Sequence, residues 1–129
     1  PLPASEAFTK HALHDSRVDL AALERKYGAP PIAPAQQNKE WYRLYKSVDK
    51  DRAVQQVHGE FLFSRDYASL ALLMLLVFTP VSFLEANTVR VATIYSACLV
   101  AQYLLVMRAA RVHGRRFVTT VLALAGAKA

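Results

Sequence analysis

The sequence has little of what catalytic and metal sites usually need. Its 129 residues include one cysteine, Cys98, and four glycines, so it can form no internal disulfide and offers no glycine-rich phosphate loop. Cys98 lies inside an apolar run, which favours a packing role over a reactive one. The runs 67–84 and 91–107 contain no Asp, Glu, Lys, Arg or His. Because intramembrane proton relays and haem sites need such side chains at depth, the sequence predicts a protein that is not an enzyme and binds no cofactor.

The four histidines form no predicted metal site. His11 and His14 are three residues apart, but no third ligand lies near them in the chain, and protein zinc sites need at least three. His58 and His113 fall just outside the same ends of the two apolar runs. Three interpretations stay open for them: the two rings approach one another, they pair with Glu60, or they are ordinary surface histidines.

The two apolar runs dominate the sequence. Each is uncharged for roughly 17 or 18 residues, which in a helix spans about 25 to 27 Å, close to the roughly 30 Å hydrocarbon thickness of a bilayer. The polar segment 85–90, EANTVR, joins them. The pattern predicts an all-α membrane protein built on a two-helix transmembrane hairpin.

Positive charge is concentrated after the second run. From Arg108 onward the chain has five basic residues and no acid, and membrane proteins collect Lys and Arg on the side that is not translocated. Both termini are therefore expected in the cytoplasm of a bacterium, at its inner membrane, or in the matrix of a mitochondrion. The charge pattern needs no nucleic-acid partner to explain it.

The basic residues beside the runs are the predicted lipid-binding site. They would contact the headgroups of anionic lipid such as cardiolipin, and they are Arg65, Arg108, Arg111, Arg115 and Arg116. A salt link between Asp66 and one of the arginines that follow the second run is the alternative use of these charges.

Residues 1–46 are predicted to form an N-terminal arm. No period is sustained before Asp15, so that part is expected to be extended and ordered only against a partner. Ser16 is a candidate N-cap for a short helix that stops at Gly28. The segment 29–35, APPIAPA, has three prolines and is expected to be a semi-rigid extended spacer.

A second short helix is predicted to start at Asn38, with aromatic residues along it. Trp41, Tyr42 and Tyr45 have basic neighbours, a combination that favours the headgroup region of a membrane. Packing of the same face against another protein is an equally good interpretation. These three residues are the predicted interfacial site.

Residues 47–129 are predicted to contain the hairpin and a basic amphipathic tail. A helix starting at Ser47 or Asp49 would run unbroken into the first span and kink or finish at Pro80. The second helix would either project beyond the bilayer or turn at Gly114, leaving the tail on the inner surface.

Small residues follow one side of the second run. Thr93, Ala97 and Ala101 are spaced four apart, which permits close backbone approach to another helix. We predict that this stripe is a helix-packing site.

In architecture, the whole chain resembles the small accessory subunits of mitochondrial respiratory complexes and ATP synthase, which lack an initiator Met after import and clamp larger subunits with a matrix arm. The resemblance implies a non-catalytic subunit of the mitochondrial inner membrane, with other subunits as partners and no small-molecule substrate. The chain starts at Pro1, which leaves both a removed targeting peptide and a truncated sequence open. The alternative is a self-assembling two-span membrane effector or pore-forming protein, although no polar stripe is present to line a conduit.

Overall fold

The protein is helical. The computed structural model describes residues 3–128, and within that range there is no strand, which confirms the all-α prediction. Short 3-10 and π-helical turns occupy Pro3–Glu6, Ala7–His11 and Ala12–His14, followed by the helices α1 Leu20–Tyr27, α2 Pro34–Val48, α3 Arg52–Glu85 and α4 Val89–Ala127. Helices α3 and α4 are both long and apolar enough to cross a membrane.

Internal contacts group the chain into two units. The first, which we call the head unit, comprises the residues up to Glu60 and those from His113 onward. The second, the hairpin unit, is Phe61–Val112. The predicted division separates an N-terminal arm, residues 1–46, from a membrane hairpin and its tail, residues 47–129. Internal contacts do not test this division, which stays a prediction.

The beginning of the described chain is coiled and not extended. The expectation of an extended segment before Asp15 is wrong for residues 3–14, where the short turns contact α2. Ala4, Ala7 and Phe8 are buried there. Because alanine side chains are small, this segment approaches α2 closely and packs against its own chain.

A buried glutamine fastens these turns to α2. Gln37 is 1% exposed, and its Oε1 accepts hydrogen bonds from the backbone N–H of Phe8 at 3.1 Å and of Thr9 at 3.3 Å. Its Nε2 donates to the Ile32 carbonyl at 2.7 Å. One side chain therefore joins the N-terminal turns, the proline segment and α2.

We expect Gln37→Leu to destabilise the head unit. The substitution keeps an apolar stem but leaves the Phe8 N–H without a partner in a buried place, which costs about 1–3 kcal/mol per orphaned group. Gln36→Leu is the matched control, because Gln36 is exposed and should change stability by less than about 0.5 kcal/mol. Trp41 is the chain's single tryptophan, so its fluorescence during denaturant unfolding gives the measurement. Equal effects of the two substitutions would contradict the role of Gln37.

Three helix starts differ from the predicted ones, and one of them is that of α3, which begins at Arg52 and not at Ser47 or Asp49. Helix α1 begins after Asp19, whose carboxylate accepts from the Ala22 N–H at 3.0 Å, so the Ser16 cap is wrong. Gly28 does end α1, with a φ of 87° that is strained for residues with a Cβ. Helix α2 begins at Pro34 and not at Asn38, because proline fits the first helical position, where its missing N–H has no partner to lose. The predicted extended spacer, 29–35, therefore ends before Pro34.

The last part of α4 forms much of the head-unit core. Helix α4 continues without a break through Gly114 to Ala127, so the predicted turn at Gly114 is wrong, while the projection of this helix beyond a bilayer stays a prediction. The buried apolar residues of this part are Phe117, Val118, Val121, Leu122 and Ala125. They recur at helical spacing, so the tail buries its apolar side within the protein's own head unit.

The close approach of α4 to the start of α1 predicts opposite effects at two glycines. A Cβ on Gly126 would lie 3.3 Å from the Asp19 carbonyl oxygen, whereas a Cβ on Gly59 would meet nothing within 4 Å. We expect Gly126→Ala to destabilise by about 1 kcal/mol through overpacking. We expect Gly59→Ala to stabilise by about 0.5–1 kcal/mol, because glycine is a poor helix former. Midpoints of denaturant unfolding test both, and a gain at Gly126 would contradict the close contact.

Candidate functional site

The hairpin unit contains the end of α3, a short link and the start of α4. Helix α3 continues past Pro80 to Glu85, so the predicted end at Pro80 is wrong. Pro80 has no N–H to donate to the carbonyl four residues earlier, but the Ser82 hydroxyl donates to the Thr79 carbonyl at 2.8 Å in the same turn. Thr88 then caps α4, since its hydroxyl accepts from the Val91 N–H at 3.3 Å.

The two helices of this unit contact each other through small and hydroxyl-bearing residues. Ser82 and Ser96 bring their hydroxyl oxygens to 3.4 Å. Gln102 Nε2 donates to the Tyr67 hydroxyl at 3.3 Å. Ala92 and Leu99 are buried. The two helices therefore meet through hydroxyl and amide groups as well as apolar side chains.

The rest of the hairpin unit is an exposed apolar surface. Leu84 is 83% exposed and Leu105 is 71% exposed, and the apolar windows of α3 and α4 are only 6% and 11% buried. A contiguous apolar surface of this kind marks contact with a membrane or with another protein, because water disfavours it. This surface is the candidate functional site.

The predicted helix-packing stripe lies on this exposed surface. Thr93, Ala97 and Ala101 are all exposed, while the seam with α3 uses Ala92 and Leu99. The Thr93 hydroxyl donates to the Val89 carbonyl at 2.8 Å. The stripe is therefore available to a helix from another molecule, and its packing role stays a prediction.

The predicted lipid-binding arginines are exposed. Arg65 lies 3.1 Å from the Asp66 carboxylate, which corrects the expected link between Asp66 and an arginine of the tail. Arg116 Nη1 lies 4.0 Å from Glu60 Oε2. The remaining three are Arg108, Arg111 and Arg115, all exposed. Adjacent residues pair more readily than distant ones because little chain has to be ordered.

Trp41, one of the three predicted interfacial residues, is buried in the head unit. Its Nε1 donates to the Val118 carbonyl at 3.1 Å, and its ring stacks on Tyr45 and meets the edge of Phe117. The two interpretations of this face were contact with membrane headgroups and packing on protein. Trp41 packs on protein, and the surface that it contacts belongs to the same chain. Tyr42 is 52% exposed, and the headgroup role of Tyr42 and Tyr45 stays a prediction.

The histidines at the hairpin end of the head unit have different surroundings. His113 Nδ1 lies 3.7 Å from Glu60 Oε2, so of the three open interpretations His113 fits the one that places it beside Glu60. His58 stacks on Phe117 with ring centroids 4.9 Å apart. Its Nδ1 lies 3.4 Å from the Tyr45 hydroxyl. Within residues 3–128, no group of three His, Cys, Asp or Glu residues is arranged to hold a metal ion.

Arg17, which forms an ion pair with Asp15, connects the segment before α1 with α4. Arg17 Nη2 lies 2.8 Å from the Asp15 carboxylate and 3.4 Å from the hydroxyls of Thr119 and Thr120. The hydrogen bond from Arg17 favours the charged carboxylate and lowers the pKa of Asp15 to about 2. The same contact raises the pKa of Arg17.

This lowered pKa predicts a loss of stability in acid. A carboxyl group whose pKa is lower in the folded protein stabilises it above the unfolded value, 3.8 for Asp15, and that contribution disappears as pH falls toward 2. Asp15→Asn should therefore destabilise the head unit at pH 5 and reduce the loss between pH 4 and 2. Glu85→Gln, at the end of α3 in the hairpin unit, is the control. Identical acid profiles of the wild type and Asp15→Asn would contradict the assignment.

A pocket of about 430 Å³ opens between α1, the proline segment and α2. Its apolar side includes Phe8, Leu23 and Leu44, and its charged lining includes Lys39 and Arg43 together with two glutamates. Arg43 is held by Glu40 at 2.7 Å. Because the opposite charges balance, the pocket has no net charge to select an ion.

Comparisons with protein-family models, with curated proteins and with solved structures found no match for this chain.

Proposed function

We propose that the protein is a non-catalytic accessory subunit of a larger membrane complex, with α3 and α4 embedded as a helical hairpin. The hairpin contacts lipid and the helices of neighbouring subunits. The head unit lies on the inner side and braces those subunits. The chain's architectural resemblance to accessory subunits of the respiratory chain and ATP synthase supports an energy-transducing complex of the mitochondrial inner membrane as the host.

The observation that carries this proposal is the exposed apolar surface of the hairpin unit. Leu73 and Leu76 on α3 are 58% and 64% exposed, and neither apolar window is more than 11% buried. A water-soluble core helix would bury such residues against its own chain. Burial in lipid and against other helices removes this surface from water and leaves each backbone hydrogen bond within its helix.

The inner side is assigned from charge. The exposed arginines Arg108, Arg111 and Arg115 follow the second apolar run, and such residues stay on the side that is not translocated. Anionic lipid, cardiolipin in a mitochondrion, supplies the phosphate groups that guanidinium groups bind. The head unit, which is continuous in sequence with these residues, is then on the same side.

Gentle detergent extraction followed by native electrophoresis tests the accessory role. The chain should migrate with a large heteromeric assembly, and the subunits that copurify identify the host complex. Migration as a ladder of a single chain would favour the self-assembling effector. A monodisperse chain in buffer without detergent or companion proteins would exclude both functions.

The exposed small-residue stripe separates the two functions in another way. Ala97→Leu with Ala101→Leu adds bulk where another helix is expected to approach, so it should weaken hetero-assembly in an accessory subunit or self-assembly in an effector. Val91→Leu is the control, because Val91 is exposed and not on the stripe. If the double substitution changes neither assembly, the stripe is not a packing site.

Orientation is tested by cysteine labelling. With Cys98 replaced by serine, a cysteine introduced at Asn87, in the link before α4, should react with an impermeant reagent only from the outer side. A cysteine at Ala127 should react only from the inner side. The reverse pattern would invert the assigned topology.

A further inference from the structure

The pocket between α1 and α2 is kept open by the segment that joins these helices. A face of α1 lines one side, a face of α2 lines the other, and Pro30 and Pro31 lie between them. Because the proline rings fix φ, this segment resists collapse into the space. The volume of about 430 Å³ lies within the range of roughly 300–1,000 Å³ that is usual for ligand pockets.

The floor of the pocket is apolar. It includes Phe8, Leu23 and Leu44, which belong to the head-unit core and are 7%, 4% and 3% exposed. Such a floor favours an apolar group of any kind, because the hydrophobic effect has no directional preference. The identity of a ligand is therefore decided by the polar groups around the floor.

The charged groups that line the pocket are one ion pair and two single charges. Arg43 Nη2 lies 2.7 Å from Glu40 Oε2, so these two charges compensate each other. Glu24 on α1 and Lys39 on α2 line the pocket as well. Within residues 3–128, neither of them forms an ion pair. The pocket thus has no net charge, yet it presents an uncompensated anion on one helix and an uncompensated cation on the other.

This arrangement fits a ligand that has charges of both signs and an apolar body. An anionic group would bind Lys39, with the Arg43 guanidinium group beside it, and an ammonium group would donate hydrogen bonds to Glu24. A small ion could satisfy one of the two single charges and would leave the apolar floor uncovered. A zwitterionic amphiphile satisfies both charges and covers the floor.

The surroundings of Tyr27 favour a primary ammonium group over a quaternary one. Quaternary ammonium groups are recognised by aromatic faces, and Tyr27 is an aromatic residue of the pocket lining. Its ring centroid already has the Lys26 Nζ at 5.4 Å and the Arg43 Cζ at 5.5 Å, so a third cation would be repelled there. Glu24 offers a carboxylate instead, which accepts hydrogen bonds from N–H groups.

We propose that this pocket binds the head group of phosphatidylethanolamine, a zwitterionic phospholipid. The phosphate binds at Lys39 and Arg43, the primary ammonium group binds at Glu24, and the glycerol end lies on the apolar floor. The volume holds the head group and not both acyl chains, which extend out of the pocket. The site shares no residue with the arginines that are predicted to bind anionic lipid, and binding does not depend on α3 and α4 crossing a membrane.

Titration of the full-length chain with water-soluble lipids tests the site. The chain is kept in maltoside micelles and titrated with dihexanoyl phosphatidylethanolamine, and the labelled methyl groups of Leu23 and Leu44 report occupancy by nuclear magnetic resonance. The dissociation constant should be about tenfold lower than for phosphatidylcholine or phosphatidylglycerol of the same chain length, because neither has an N–H group to donate to Glu24. Unshifted resonances, or equal affinities for the three lipids, would overturn the proposal.

Free phosphoethanolamine separates the lipid from its head group alone. It carries the same two charges but has no apolar body, so it should bind at least about tenfold more weakly than the lipid. Equal affinity of the two would show that the apolar floor takes no part and would refute binding of a lipid.

Substitutions at the exposed rim assign each charge. Glu24→Gln should reduce the affinity for phosphatidylethanolamine to that for phosphatidylglycerol, and Lys39→Gln should weaken the binding of both lipids. Gln36→Trp, at an exposed position that lines the pocket, should fill it and abolish the methyl shifts. Lys50→Gln is the control, because Lys50 is exposed and outside the pocket.

The variants are compared only after circular dichroism in denaturant shows that each folds as the wild type does, which their exposed positions favour. A preference for phosphatidylethanolamine that survived Glu24→Gln would contradict the assigned ammonium site. Equal weakening by Lys39→Gln and Lys50→Gln would contradict the assigned phosphate site.

Discussion

Replacing Trp41 with alanine is expected to destabilise the head unit by about 3–5 kcal/mol, the usual cost of truncating a buried tryptophan. The indole is 7% exposed, stacks on Tyr45 and meets Phe117 edge-on. The substitution also removes the hydrogen bond from the indole N–H to the Val118 carbonyl, which retains only its bond within α4. Because the fluorophore is lost, the loss of helical circular dichroism in denaturant is the appropriate measurement.

Two further variants separate packing from the hydrogen bond. Trp41→Phe keeps an aromatic ring but removes the N–H, so it should cost less than alanine, with about 0.5–1.5 kcal/mol due to the lost hydrogen bond. Tyr42→Ala is the matched control on the same helix, because Tyr42 is 52% exposed. If Trp41→Ala left unfolding unchanged but weakened association with anionic vesicles, Trp41 would be a headgroup anchor and not a core residue.

Placing arginine at Leu73 and Leu76 is expected to prevent stable membrane insertion of α3. Both side chains are exposed in the middle of the first apolar run, and an arginine near the centre of a membrane helix costs about 2.5–3.5 kcal/mol. The double variant should move from the pellet to the supernatant in alkaline carbonate extraction, while the wild type stays in the pellet.

The control for insertion puts the same charges elsewhere on α3. Ala53→Arg with Gln55→Arg alters exposed positions of the head unit and should leave the extracted fraction unchanged. If both double variants remained in the pellet, the exposed surface of the hairpin unit would be covered by protein and not by lipid.

The helices themselves were predictable from local pattern. Two uncharged apolar runs specify α3 and α4 because length and hydropathy are properties of continuous sequence. Gly28 could be identified as the end of α1 for a similar reason, since few residues other than glycine tolerate a φ of 87°. The starts were less certain, because Ser16 and Asp19 are both competent caps and only the backbone conformation decides between them.

What the sequence did not reveal is the docking of one segment on another. Each of the apolar stripes at Trp41 and Phe117 is too small to support a helix by itself, and each was assigned to a membrane surface or an unknown partner. The structure shows that they contact each other. One feature of the sequence could have indicated this contact. Two separate helices each have an apolar stripe, and neither stripe has a partner nearby in the sequence.

The pairing of charges was missed for a related reason. A distant arginine was expected for Asp66, but Arg65 is adjacent and reaches it. The contact between His113 and Glu60 was one of three interpretations that the sequence left open, because both residues fall at the same end of a helical hairpin. The lack of hydrogen bonds to the two facing atoms is visible only in the structure.

The assembly of the head unit from segments on either side of the hairpin has a consequence for synthesis. The Trp41–Val118 bond joins residues 77 positions apart, and the segment from Phe117 to Ala125 that fills the core leaves the ribosome after the hairpin. The helices before the hairpin are therefore synthesised first and keep their apolar sides uncovered while the hairpin emerges. Emergence of the segment from Phe117 onward then permits the final step of folding, and ribosomes stalled before Phe117 should carry chains whose residues before the hairpin are still readily cleaved by protease.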